Sequence, residues 1–92
     1  MIQSFQDNET ERLWESESSA RFRTVRRAAL RKLIQLNAAE RLEDLRVPPE
    51  NQLEALRGKR KGTYSIRINR QWRICFRWTK AGPTKVEIVD YH

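Results

Sequence analysis

The 92-residue chain has one cysteine, one histidine, three glycines and three prolines, and no long apolar run. Each scarcity excludes something. A lone Cys75 cannot close an internal disulfide, and its place in an alternating segment makes a reduced, inert thiol the expectation. A nucleophilic cysteine needs a base beside it, and the one imidazole, His92, stands at the far end of the sequence. One His and one Cys do not make a ligand set, so no metal site is expected. No segment approaches the roughly 20 apolar residues of a membrane span, and the first residues do not read as a signal peptide. No membrane contact and a cytoplasmic location are therefore expected.

What is present is charge, unevenly placed. Charged residues make up 34% of the chain, against 38% apolar, and the net charge is +7. Residues 1–53 carry nine Lys or Arg and nine Asp or Glu, while residues 54–92 carry ten and three, so the second part holds the whole excess. A segregated excess of this kind points to phosphate backbones or an acidic protein surface. The length suits a single domain, residues 1–92, with one small core.

Local patterns predict the order of elements. Met1–Phe5 is compatible with a starting edge strand, and Asp7 or Asn8 is placed to cap a helix running to about Ser16, with Leu13 and Trp14 to bury. From Arg21 to about Asn37 the spacing of Phe22, Val25, Ala29, Leu33 and Leu36 predicts an amphipathic helix, its stripe widened by Leu30 and Ile34. Arg23, Arg26, Arg27, Arg31 and Lys32 occupy the opposite side, most simply a solvated face. Another helical turn is expected over Ala39–Leu45. Val47-Pro48-Pro49 should end helical structure, and Glu50–Leu56 should be a connector. Alternation then predicts strands over Thr63–Asn69, Gln71–Trp78 and Lys85–Tyr91. The implied fold class is α+β, a small antiparallel sheet packed against N-terminal helices.

The strand alternation also carries chemistry. Tyr64, Ile66, Ile68, Trp72, Ile74 and Phe76 share one pleat, while Arg67, Arg73 and Arg77 fall on the other. Arginine donates two parallel hydrogen bonds to phosphate and keeps its charge. With Arg57, Lys59, Arg60 and Lys61 on the preceding loop, these residues form a candidate anion-binding groove. Asp90-Tyr91-His92 is the one place where proton transfer near neutral pH is plausible. Strict alternation puts Asp90 and His92 on the Val86/Ile88 pleat, so a twist or bulge is expected before the tail can meet Arg73.

The segment LEALRGKRKGTYSIRINRQWRICFRW, the connector Pro48-Pro49-Glu50-Asn51-Gln52-Leu53-Glu54 and the closing VEIVDYH resemble the HigB/GraT-type killer toxins of bacterial type II toxin–antitoxin systems, in the RelE-like superfamily. The resemblance covers nearly the whole chain. It implies a RelE-like ribonuclease fold and a ribosome-dependent endonuclease that cuts translating mRNA in the A site, without metal or organic cofactor. It also implies a cognate HigA-type helix-turn-helix antitoxin as partner, beside the ribosome and mRNA. By position, Asp90, Tyr91 and His92 match the family's active-site tail, and Arg73 matches its transition-state arginine. Arg57 stands where relatives have a lysine or another residue. Glu54 stands where some relatives have a catalytic histidine, and Glu50 replaces a glycine common in that connector. Two other readings use the same residues: a non-catalytic nucleic-acid-binding module, and a protein-interaction module built on the Arg23–Lys32 helix face.

Overall fold

Alternating apolar residues drive the architecture, because each strand must bury every second side chain on one side only. The computed structural model describes residues Met1–Asp90. Two helices, α1 (Asn8–Ser16) and α2 (Arg26–Ala38), precede four strands, β1 (Glu54–Ala55), β2 (Thr63–Arg67), β3 (Trp72–Thr79) and β4 (Gly82–Asp90). The strands form an antiparallel sheet in the order β1-β2-β3-β4. The α+β expectation is met, including the packing of the sheet against the N-terminal helices. Ile66, Ile68, Trp72, Ile74, Phe76, Val86 and Ile88 lie against Leu13, Phe22, Val25, Ala29, Leu33 and Leu36. Phe22 meets Trp72 edge to face, with centroids 5.5 Å apart.

Asp7 caps α1 by accepting from the Thr10 amide, and Glu9 and Glu11 lie in the first turn, where the helix dipole favours them. Thr10 in turn accepts from the Ile88 amide at 3.1 Å, tying α1 to β4. The N-terminal segment does serve as an edge: it runs parallel to β4, with Gln3 N–H to Pro83 O at 2.8 Å and Gln6 N–H to Val86 O at 2.8 Å.

Four expectations need correction. The second helix begins at Arg26 rather than Arg21; residues 21–25 form a turn that places Phe22 in the core, and Val25 starts the helix without a side-chain cap. Within α2, Ile34 is exposed, whereas Lys32 is buried, drawn in by Asn51 from 19 positions away. Val47 and Pro48 are extended and end the 3-10 turn Leu42–Arg46 as expected, but the stretch after them is not free of helical structure. Pro49 opens a short 3-10 turn to Asn51, since proline is tolerated at a first helical position. The supposed connector also contains β1, which pairs Glu54 with Ser65 and Ala55 with Tyr64.

A bulge exists early in β4 and not, as expected, between Ile88 and the tail. Cys75 pairs with Glu87 while Arg77 pairs with Thr84, which leaves one extra residue on β4. Lys85 takes the left-handed conformation there, φ 52°. Beyond it the ladder is regular, Ile74 with Ile88 and Trp72 with Asp90, so Asp90 stays on the pleat of Val86 and Ile88.

Candidate active site

The pleat turned away from the helices reads across the strands in rows. One row is Glu54, Ser65, Cys75 and Glu87; a second is Arg67, Arg73 and Val89; a third is Thr63, Arg77 and Thr84. Alternation predicted that Arg67, Arg73 and Arg77 share this face, and they do. They do not share an environment: Arg77 is exposed, Arg67 is half-buried, and Arg73 is only 5% exposed.

Arg73 is held by directed contacts. Its Nε donates to Ser65 Oγ at 2.9 Å, and its Nη2 donates to Gln52 O at 2.6 Å and Ser65 O at 3.3 Å. Glu54 Oε1 lies 3.7 Å from the same Nη2. Three features of the chain make this cluster. The short β1 ladder sets Glu54 opposite Ser65. The Ser65–Cys75 register brings Ser65 beside Arg73. The left-handed Gln52, φ 46°, ends the 3-10 turn as its carbonyl meets the guanidinium. The result is a fixed guanidinium with an adjacent, half-exposed carboxylate.

The basic loop folds back over the sheet. Leu56 N–H bonds Thr63 O at 2.8 Å, closing the loop, and residues 58–60 form a 3-10 turn. Arg57, Lys59 and Lys61 are exposed, whereas Arg60 reaches Glu87 Oε1 at 2.9 Å. A cavity of about 210 Å³ beside that pair is lined by Gln6, Thr63, Arg77 and Lys85 as well. Gly62 sits at φ +91°, a conformation that residues with a side chain rarely adopt, close beside Arg77. Under this roof Cys75 is 1% exposed, and burial pushes its thiol up against the opposing pull of Arg60. It stays protonated near neutral pH, as a poor nucleophile.

Asp90 closes β4, where its Oδ2 accepts from Gln71 Nε2 at 3.0 Å. It directly follows Val89, the ladder partner of Arg73. The expectations for Tyr91 and His92 lie outside the described residues. The structure thus joins Glu54 to Arg73 and Arg60 to the neighbourhood of Arg77. Ser65, the Gln52 carbonyl, Lys85 and Glu87 were missed by sequence reasoning. Ser65 was legible as a polar residue in step with Arg67; the others depend on register and on a backbone twist.

A family model, described as the RelE-like toxin of type II toxin–antitoxin system HigB, matches residues 3–92. The chain belongs to this HigB-like toxin family. Toxin HigB-1 of Vibrio cholerae serotype O1 is 40% identical over 80 residues, covering 85% of this chain and 84% of that protein. An uncharacterized protein of Haemophilus influenzae is 46% identical over 48 residues, covering 52% of this chain and 48% of that one. As a HigB-like toxin of a type II system, the protein has an antitoxin for partner. Among the described residues, no helix of this toxin is long and apolar enough to cross a membrane.

Proposed function

We propose that this HigB-like toxin is a single-domain, ribosome-dependent endoribonuclease that cuts mRNA in the A site in the cytoplasm, and that a HigA-type helix-turn-helix antitoxin restrains it. The observation that carries the reading is the Arg73 cluster: a guanidinium fixed by Ser65 and Gln52, with Glu54 at its side, on a face bordered by Arg57, Lys59, Arg60, Lys61, Arg67 and Arg77. A preorganised cation of this kind lowers the energy of a phosphate that gains negative charge in the transition state.

In the proposed reaction the ribose 2′-oxygen attacks the adjacent phosphorus and the P–O5′ bond breaks, leaving a cyclic 2′,3′-phosphate and a free 5′-hydroxyl. Glu54 takes the 2′-OH proton, His92 gives one to the departing 5′-oxygen, Asp90 orients His92, and Tyr91 stacks on a base or positions the hydroxyl. Arg73 meets the charge on the phosphorane oxygens. No step calls for a metal or an organic cofactor. The ribosome supplies the alignment of 2′-OH, phosphorus and 5′-oxygen, which lowers the demand on each protein side chain.

The test is induction of the toxin without antitoxin, with mapping of mRNA 5′ ends on translating ribosomes. Cuts within A-site codons are expected, and Arg73→Ala and His92→Ala should remove them. RNA binding without scission by the folded, antitoxin-free protein would favour the non-catalytic module. Full cutting by His92→Ala would take the proton-donor role from that residue.

A further inference from the structure

A buried cation is costly unless an opposite charge or several acceptors meet it. Lys32 is 8% exposed, and among the described residues its ammonium gives one hydrogen bond, to Asn51 Oδ1 at 2.6 Å. An ammonium has three donors. Among the described residues, no carboxylate lies within ion-pair distance of it. Asn51 is neutral, and its own amide is taken up by Gln35 Oε1 and the carbonyls of Leu45 and Val47, at 3.1, 3.2 and 3.4 Å. The asparagine therefore positions the lysine without neutralising it.

Lys32 lines a cavity of about 330 Å³ together with Arg31, Gln35, Glu50, Arg67 and Ile68. Three cations face one carboxylate there, and Glu50 is exposed. We propose that Arg31, Lys32 and Arg67 form a phosphate-binding subsite, separate from the Arg73 cluster, that holds a phosphodiester of the RNA strand away from the one being broken. Two observations favour a strand over a free ion. Arg67 is the ladder partner of Arg73, which puts the subsite next to the candidate active site. Arg31 also lines a second cavity of about 390 Å³ with Arg23, Arg26, Arg27 and Asn69, so further phosphates have cations to follow. The assignment to RNA rests on the proposed function; the anion chemistry of the cavity does not.

The experiment is an NMR titration of the isotopically labelled toxin with inorganic phosphate, and separately with a 2′-O-methyl oligoribonucleotide that cannot be cleaved. Both ligands should shift the Gln35 side-chain amide and the backbone amides of Lys32 and Ile68. Lys32→Met should lose the phosphate response, weaken oligonucleotide binding about tenfold and lower its salt slope by about one. If Lys32→Met does not fold, two exposed positions carry the test: Arg31→Gln should weaken binding, and Glu50→Gln should tighten it. Wild-type affinity in Lys32→Met and Arg31→Gln alike would overturn the subsite while leaving the nuclease reading intact. Loss of phosphate binding with oligonucleotide affinity unchanged would assign the cavity to a free ion and overturn the RNA assignment. Tighter binding of a polyglutamate peptide at the same amides would give the cavity to an acidic protein segment, against the proposal. A wild-type toxin that binds no oligonucleotide would overturn the subsite, while the ribosome-dependent nuclease reading stands or falls by the mapping of mRNA ends.

Discussion

Arg73 and Ile74 are neighbours on β3 and both are buried, yet burial means different things for them. Ile74 lies in the ladder between Ile66 and Ile88 and is stabilised by apolar area removed from water, a term with no preferred direction. Arg73 must be met by named atoms at fixed angles: a hydroxyl, two carbonyls and a carboxylate. One pleat tolerates any side chain of the right size, whereas the other depends on register. The arginines and Glu54 of the proposed chemistry therefore lie on the pleat that costs more to assemble, while Asp90 stays on the other.

The largest expected effect breaks the apolar pleat. Phe76→Ala should cost about 3–5 kcal/mol of unfolding free energy, since the residue is fully buried, measured by urea denaturation. Activity should fall in proportion to the folded fraction and no further.

Arg73→Ala should invert that pattern. Ribosome-dependent cleavage should drop by about 10²–10³, while stability falls by only about 1–3 kcal/mol for the acceptors left without a donor. Equal losses in both measurements would mean that Arg73 is structural. Arg73→Lys should recover much of the stability but little of the cleavage, because an ammonium can still donate to Ser65 or Gln52 but lacks the planar fork that meets two phosphate oxygens at once.

Glu87→Gln sharpens the comparison at the rim. The Arg60–Glu87 pair is partly exposed, so its loss should change stability by about 0–1 kcal/mol. It frees Arg60 and removes a carboxylate from the cationic cavity, so RNA should bind more tightly, with a steeper salt dependence.

The smallest effect lies outside both pleats, in the 3-10 turn Leu42–Arg46. The backbone N–H groups of Arg41 and Glu40 hold the Asp44 carboxyl below its ordinary range. A carboxyl lowered by folding stabilises fully above its unfolded value of about 3.9, and the contribution is lost as pH falls through the folded value. Stability of Asp44→Asn should thus lie slightly below wild type at neutral pH and converge with it in acid, followed by denaturation at a series of pH values.

Much of this was readable in one dimension. Phe22, Val25, Ala29, Leu33 and Leu36 all enter the core, because helical spacing forces them to one side. The pleat of Ile66, Ile74, Phe76 and Ile88 followed from period two in the same way. Lys32 and Ile34 were misplaced because their fates rest on tertiary contacts: an asparagine 19 positions later holds the lysine, while the isoleucine is left 58% exposed. The Glu54–Arg73 contact was equally unreadable by spacing, since a two-residue strand gives almost no periodic signal.

The amino-acid order alone determined which side chains seek the core, where the positive charge gathers and that arginines recur along one pleat. These are local properties, set by repeat period and composition. The tertiary structure decided which cations are sealed in, which acceptor meets each, and where β4 gains its extra residue at Lys85. Those outcomes depend on register and on contacts between distant residues, and a hydrogen bond, unlike apolar burial, forms only when both partners arrive at the right distance and angle.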